Sequence, residues 1–173
     1  MNDEPDVDFA LLDRQLIALL ADEADPLANT ANFVGLLYHA LPDINWLGVY
    51  VLRGQELVLG PFQGKPACVR LPLGRGVCGT AASRSATLRV ADVNEFAGHI
   101  ACDPESNSEI VVPLTLSGKL AGVLDIDSPY RGRFSERDQA GIEKLCRTFT
   151  GELSNKPAPV HRSGAAGDRA AFI

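Results

Sequence analysis

Residues 109–127 decide the fold, and they read Glu109-Ile-Val-Val-Pro-Leu-Thr-Leu116, then Ser-Gly-Lys, then Leu120-Ala-Gly-Val-Leu-Asp-Ile-Asp127. In both outer segments apolar residues recur at every second position, which is the period of a strand with one buried face. The intervening Ser-Gly-Lys is typical of a tight turn. The stretch therefore predicts an antiparallel hairpin.

The register of this hairpin depends on the length of its turn. A three-residue loop over 117–119 places the apolar residues of both strands on one face, whereas a two-residue loop places them on opposite faces, because a one-residue slip reverses every side chain. We therefore predict the three-residue loop. The residues that share the apolar face are then Ile110, Val112, Leu114, Leu116, Leu120, Gly122, Leu124 and Ile126.

The same register has a chemical consequence on the other face. It places Glu109 directly opposite Asp127, with Asp125 two residues away on the same side. Facing carboxylates repel, so such a cluster is tolerated where it binds a cation or keeps one acid protonated as a proton donor. The alternative interpretation is that these strand ends are simply solvated.

The elements around the hairpin predict an α+β fold. Apolar residues at helical spacing predict helices over Phe9–Leu20, from the Asp25-Pro26 cap to just before Pro42, and after the Ser135 cap. Alternating or short apolar runs predict strands over 44–52, 56–60, 67–73 and 87–90. The glycine-rich stretch 74–82 between the last two strands permits a short helix that begins at Gly76. This order predicts an antiparallel sheet with helices packed on one face and loops covering the other.

Length and composition limit the classes of protein that fit. The 173 residues predict one domain over 1–154, followed by a flexible C-terminal tail over 155–173. The net charge of -6 has the wrong sign for nucleic acid or an acidic membrane surface. The acidic start and the lack of an apolar run of about 18 residues argue against a secretory signal and a membrane span, so we predict a cytoplasmic protein.

Four cysteines are the candidates for reactivity, since thiols in a reducing compartment are more often buried, metal-bound or redox-active than paired for stability. Cys146 lies in a helical apolar stripe, which predicts a core position. Cys68 in a short predicted strand and Cys78 in a glycine-rich turn are open to the interpretation of buried, inert thiols. Cys102 lies in a long polar loop, 92–107, where packing does not explain a thiol, and loops of this length are more often functional.

Metal binding and an aromatic pair complete the candidates. His99 and Cys102 have ligand spacing, but two further zinc ligands at suitable spacing are missing, so we predict no metal. Trp46 and Tyr50 share one face of the strand 44–52. Core packing and a pocket wall both remain open for these two aromatic residues.

Two stretches carry a family resemblance: Gly98-His-Ile-Ala-Cys-Asp-Pro-Glu-Ser-Asn-Ser-Glu-Ile-Val-Val-Pro113 and Gly122-Val-Leu-Asp-Ile-Asp-Ser128. Together they resemble the free methionine-(R)-sulfoxide reductases, single-domain members of the GAF fold family, over roughly residues 30–150. The resemblance implies a GAF-like antiparallel sheet, with helices packed on one face and loops covering a small-molecule pocket on the other. The second stretch is common among GAF domains. Cys102 in its loop, together with Cys68, Cys78 and Glu109, is much more specific.

The resemblance implies an activity and a set of roles. It implies that Cys102 is the nucleophile, Cys68 the resolving cysteine and Cys78 an auxiliary thiol. It also implies reduction of free L-methionine-(R)-sulfoxide through a sulfenic acid and an intramolecular disulfide, recycled by thioredoxin with no bound cofactor. The substrate contacts that it implies are Trp46, Tyr50, Glu109, Asp125 and Asp127.

Two other functional classes remain alternatives. The first is a GAF module that binds a small molecule or senses oxidation without turnover. The second is an interaction domain, because the apolar stripes of the terminal helices permit a homodimer without requiring one. Turnover of methionine sulfoxide would distinguish the enzyme from both.

Overall fold

The computed structural model describes residues 7–98, 100 and 103–156, and within them the chain forms a curled six-stranded antiparallel sheet with α-helices on both faces. The strand order is β3-β2-β1-β6-β5-β4. This α+β fold is the one predicted. The elements are α1 (Phe9–Leu20), α2 (Pro26–Ala40), β1 (Trp46–Arg53), β2 (Glu56–Gln63), β3 (Arg70–Pro72), α3 (Gly76–Arg84), β4 (Leu88–Val90), a 3₁₀ helix (Val93–Glu95), β5 (Ser108–Leu116), β6 (Lys119–Ser128) and α4 (Glu136–Asn155).

The helix boundaries follow the capping residues that the sequence contains. The Asp25 side chain accepts hydrogen bonds from the backbone N–H groups of Leu27 and Ala28, with Pro26 at the first helical position of α2. Ser135 and Asp138 form a reciprocal capping box at the start of α4. Because these side chains satisfy otherwise unpaired N–H groups, the starts of both helices were predictable.

The first face of the sheet carries the larger core. Helices α1, α2 and α4 cover this face, and Phe33 of α2 stacks on Phe149 of α4 with 4.2 Å between ring centroids. Cys146 is a free thiol, 3% exposed, within this core. The prediction that Cys146 is a packing residue is confirmed.

The turn of the β5–β6 hairpin differs from the prediction. It contains two residues, Ser117 and Gly118, both with positive φ (49° and 78°), which is the geometry of a type I′ turn. Leu116 therefore pairs with Lys119, and the predicted three-residue loop is wrong. Leu120 packs with the core of the second face rather than beside Leu116.

A bulge in β6 restores the predicted register further from the turn. Thr115 pairs with Leu120, but Leu114 pairs with Gly122, so Ala121 is the extra residue. Beyond the bulge, every pair from Leu114–Gly122 to the far end of the hairpin matches the predicted register. The acidic end of the hairpin is thus aligned as predicted, although the turn is not.

The second face is covered by a helix as well as by loops. Val77, Cys78, Ala81 and Ala82 of α3 are buried against this face, so the expectation that loops alone cover it is incomplete. Cys78 belongs to the N-terminal part of helix α3 rather than to an irregular glycine-rich turn. Cys68 lies in an irregular segment between β2 and β3 instead of in a strand, since β3 spans only three residues.

The predicted tail and two candidate residues of the polar loop lie outside the described residues. Helix α4 runs to Asn155, and residues 157–173 lie beyond the described part, so the domain boundary and the tail stay predictions. His99 and Cys102 also lie outside the described residues. Within the described part, no helix is both long enough and apolar enough to cross a membrane.

Candidate active site

Three carboxyl groups meet on the second face of the sheet. Glu109 of β5 pairs directly with Asp127 of β6, as predicted, and Asp125 follows on the same face. Glu109 is 5% exposed and Asp125 is 7% exposed, so the interpretation that these strand ends are solvated is wrong for both. Oδ1 of Asp125 is buried and has no hydrogen-bond partner among the described residues. A buried carboxylate oxygen of this kind is suited to a positively charged or hydrogen-bond-donating ligand.

Burial makes these carboxyl groups hold their protons more tightly. It raises the pKa of Asp125 to about 6, partly opposed by hydrogen bonds from Cys78 and Glu109. Burial, followed by the negative charges of Asp125 and Asp127, raises the pKa of Glu109 well above its usual range. The pKa of Asp127 is raised in the same direction, by burial and then by the charges of Asp125 and Asp103. Near neutral pH the cluster therefore retains a proton that it can donate.

The first testable consequence is an upward shift in carboxyl titration. We expect at least one of Glu109, Asp125 and Asp127 to titrate well above the ~4 of a free carboxyl group in a ¹³C NMR titration. Because its folded pKa is raised, Asp125 stabilises the fold less as pH rises from about 4 to about 6. Asp125→Asn should remove that dependence and lower the pKa of both neighbours. Three ordinary titration curves in the wild type would contradict the clustered-acid arrangement.

Cys78 belongs to this cluster. Its Sγ lies 3.8 Å from Oε1 of Glu109 and donates a hydrogen bond to it. Burial raises the pKa of the Cys78 thiol well above its ordinary value, and the charges of Asp125 and Glu109 add to the effect. Cys78 is therefore a protonated donor to the acids rather than a ready nucleophile.

Among the described residues, Cys78 and two of the acids, Glu109 and Asp125, form a group that could hold a metal ion. The ligand atoms of Cys78, Glu109 and Asp125 lie within 4.8 Å of one another. A metal would have to displace the thiol proton, because the thiolate is the form that binds. In the structure the Cys78 thiol instead donates a hydrogen bond to Glu109, so these side chains form a proton network.

An aromatic wall stands beside the acids. Trp46 is 2% exposed and stacks on Phe62, with 5.6 Å between centroids, and its ring lies 5.9 Å from that of Tyr50. Both Trp46 and Tyr50 line a cleft together with Asp125 and Asp127. The two interpretations of the aromatic pair therefore combine, since the rings belong to the core and also form a pocket wall.

The polar atoms of these aromatic residues hold the segment that covers the cleft. Nε1 of Trp46 donates to the carbonyl of Lys65 at 3.0 Å. The Tyr50 hydroxyl donates to the carbonyl of Cys68 at 2.9 Å. Burial, and next the charge of Asp125, raises the pKa of Tyr50, so the hydroxyl remains a donor at all moderate pH values. The segment that carries Cys68 is thus fixed to the pocket wall.

The cleft has two adjoining parts that share Asp103, Asp125 and Asp127. One part lies between the start of α3 and Glu109, and the other lies against Trp46. Asp103 was missed at the sequence level. Its position directly after Cys102 in the polar loop is the one signal that could have indicated it.

A glycine makes room for the indole of Trp46. A Cβ on Gly48 would lie 2.3 Å from the Trp46 ring and 2.6 Å from Cβ of Phe62. We therefore expect Gly48→Ala to destabilise the protein by about 1–3 kcal/mol in urea unfolding, because overpacking displaces the ring. Gly35→Ala in α2 is the matched control, because among the described residues its new Cβ would lie within 4 Å only of its own chain neighbours and helix backbone. It should stabilise by up to about 1 kcal/mol. A neutral Gly48→Ala would contradict the tight packing of Trp46.

Comparison with known proteins identifies the fold family. The GAF domain model matches residues 13–153. The chain therefore belongs to the GAF domain family, as the sequence resemblance predicted.

Individual relatives indicate a group within the GAF family. The free methionine-R-sulfoxide reductase of Escherichia coli (strain K12) is 56% identical over 137 residues, which are 79% of this chain and 83% of that protein. The fRMsr of Staphylococcus aureus in complex with substrate has a TM-score of 0.83 and 46% identity, covering 88% of this chain and 99% of that chain. The free methionine-R-sulfoxide reductase of Neisseria meningitidis in complex with its substrate has a TM-score of 0.81 and 39% identity, covering 88% and 94%. Within the GAF family, these similarities group the chain with the free methionine-(R)-sulfoxide reductases.

Proposed function

We propose that this protein reduces free L-methionine-(R)-sulfoxide to L-methionine. The observation that carries the proposal is the cleft in which Glu109, Asp125 and Asp127 stand beside the indole of Trp46. Ionised carboxylates suit the substrate ammonium group, and the indole suits the S-methyl group. The relatives that bear this reductase name, two of them solved with substrate, support the same assignment.

The first half-reaction transfers oxygen from the substrate to a thiol. The Cys102 thiolate attacks the sulfoxide sulfur, and a protonated carboxyl group donates its proton to the oxygen. The sulfur–oxygen bond of the substrate breaks as the protonated oxygen is transferred to the Cys102 sulfur, and the transient bond between the two sulfurs breaks, which yields methionine and a sulfenic acid on Cys102. The sulfoxide gains two electrons and the thiol loses them. Glu109 and Asp127 are suited to hold the proton, because the pKa of each is raised well above its usual range.

The second half-reaction removes the sulfenic acid. The Cys68 thiol attacks the sulfur of Cys102, so that a disulfide forms and the oxygen leaves as water. The dithiol of thioredoxin then reduces the disulfide and regenerates both thiols. The proposal places the protein in the cytoplasm, where this reductant is found. Cys78 is less suited to the attack, since its thiol is buried and its pKa is raised.

Removing the resolving thiol should separate the two half-reactions. We expect Cys68→Ser to release one methionine per enzyme in a rapid burst but to fail to recycle with thioredoxin, because the sulfenic acid has no intramolecular partner. Quenched-flow measurement of methionine gives the burst. Peptide mapping of oxidised wild-type protein should find a Cys68–Cys102 bridge. A bridge between Cys78 and Cys102 instead would reassign the resolving role.

The activity itself is tested with racemic free methionine sulfoxide and dithiothreitol, followed by chromatographic resolution of the isomers. The R isomer should be consumed while the S isomer remains. If neither isomer is consumed, the proposal is wrong. A single oxidation of the cysteines without turnover would then favour the GAF sensing or ligand-binding module.

A further inference from the structure

One lysine joins the two chain segments that border the cleft. The first segment, residues 64–69, connects β2 to β3 and is called here the strap. The second, residues 103–107, leads into β5. Nζ of Lys65 in the strap lies 3.5 Å from Oδ2 of Asp103 and also forms an ion pair with Oε2 of Glu105. Apart from these ion pairs, each segment has its own attachment to the body of the protein.

Lys65 adds a direct link between two segments that are each attached to the body of the protein. The strap is fixed to the second face by the hydrogen bonds from Trp46 and Tyr50 described above. The 103–107 segment is fixed by Asn45, whose Nδ2 donates to Asp103 at 3.3 Å and to Ser106 at 3.1 Å. The Asp103 side chain is 5% exposed, while that of Lys65 is 56% exposed. Lys65 therefore brings a positive charge from the surface to a buried carboxylate across the cleft.

Two of the candidate reactive cysteines lie close in sequence to the residues of this ion pair. Cys68 follows Lys65 by three residues, and Cys102 immediately precedes Asp103. We propose that Lys65 is a positioning residue for the second half-reaction, holding the Cys68 segment against the segment that follows Cys102. The inference rests on the proposed function, in which these two thiols must combine.

Positioning matters most in this step because both reacting groups belong to the protein. The Cys68 sulfur bonds to the Cys102 sulfur, the sulfur–oxygen bond of the sulfenic acid breaks, and water leaves with the thiol proton. No outside reagent takes part, so the rate depends on the effective concentration of one thiol at the other. Lys65 itself is not among the described residues that line the cleft and reaches it only through Asp103, so we expect the loss of its charge to affect the second half-reaction more than the first.

The decisive variant is Lys65→Met, which keeps a long side chain and removes the charge. Rapid-mixing experiments should show the wild-type burst of one methionine per enzyme, with a rate constant that changes much less than that of disulfide formation. Disulfide formation should slow roughly fivefold to tenfold, because an exposed ion pair contributes modestly and the burial of Asp103 strengthens this one. The readout is the lifetime of the Cys102 sulfenic acid, trapped with a sulfenate-selective probe at timed intervals. Lys65→Arg should restore the wild-type lifetime.

A matched control and salt dependence separate positioning from general damage. Arg70→Met also removes one exposed cation, from an ion pair with Glu56 at 3.0 Å, and should leave both half-reactions unchanged. Raising the KCl concentration should lengthen the sulfenate lifetime of the wild type toward that of Lys65→Met, and should leave the variant unaffected.

Several results would overturn the inference. These are an unchanged sulfenate lifetime in Lys65→Met, equal slowing of both half-reactions, or equal slowing in Arg70→Met. Failure of the proposed function looks different, because the wild type itself would then release no methionine from the sulfoxide. That result would overturn both proposals together.

Discussion

Replacing Cys102 by serine should lower turnover of free methionine-(R)-sulfoxide by at least about a thousandfold. A serine hydroxyl is not ionised near neutral pH and does not form the sulfenic acid on which the proposed cycle depends. The loss should appear in kcat and in kcat/KM, because the nucleophile acts in the transition state. Steady-state methionine release with dithiothreitol is the measurement.

The matched control for this variant is Cys146→Ala. Cys146 is buried in the core of the first face, so its loss should reduce stability while turnover by the folded protein stays near that of the wild type. A sulfenate probe should label Cys102 in a variant that lacks Cys68 and Cys78. Near-normal turnover by Cys102→Ser would remove Cys102 from the mechanism.

Blocking both ends of the substrate should lower kcat/KM by at least about a hundredfold. In N-acetyl-methionine-(R)-sulfoxide-amide the ammonium and carboxylate are replaced by neutral amides. A neutral amide does not replace an ammonium among Glu109, Asp125 and Asp127, and each polar group left unpaired commonly costs about 1–3 kcal/mol. Free and blocked substrates are compared with the same reductant.

Substrates blocked at one end locate the source of this selectivity. The substrate with only an N-acetyl block should have a much lower kcat/KM than free methionine-(R)-sulfoxide, because it lacks the ammonium group that the acids bind. Asp125→Asn should reduce the ratio between the two kcat/KM values. Equal efficiencies for free and doubly blocked substrates would mean that the acidic face does not recognise the amino group.

The sequence predicted the parts of this fold that depend on local chemistry. Asp25-Pro26 and Ser135 located helix starts because capping satisfies specific N–H groups. The hairpin turn was missed because it is one residue shorter than predicted and the bulge at Ala121 adds one residue to β6. The two differences cancel, so the register beyond the bulge is the one that a three-residue turn would give. An ordinary alanine gives no signal of a bulge. The facing of Glu109 and Asp127 was nevertheless predictable, since strand alternation determines it.

The rest of the candidate site depends on contacts between distant segments. Trp46 and Asp125 follow from strand periodicity, whereas Asp103 and Lys65 lie in irregular segments without a period. These two residues are 38 positions apart in the sequence, and only the tertiary structure brings them into an ion pair. The short helix that the sequence permits at Gly76 is α3, but its position over the second face was missed, because a glycine-rich start is as typical of a turn as of a helix.

The burial of Cys78 also affects how the protein withstands the oxidants that generate methionine sulfoxide. The thiolate is the form of cysteine that attacks peroxide, and overoxidation to sulfinic or sulfonic acid is largely irreversible. Cys78 is 4% exposed and Cys146 is 3% exposed, and burial raises the pKa of both thiols. Both sulfurs thus remain in the protonated form that oxidants attack slowly. Oxidative damage to either would remove a hydrogen bond to Glu109 or a packing contact in the core, so their protection preserves the protein under the conditions in which its proposed substrate accumulates.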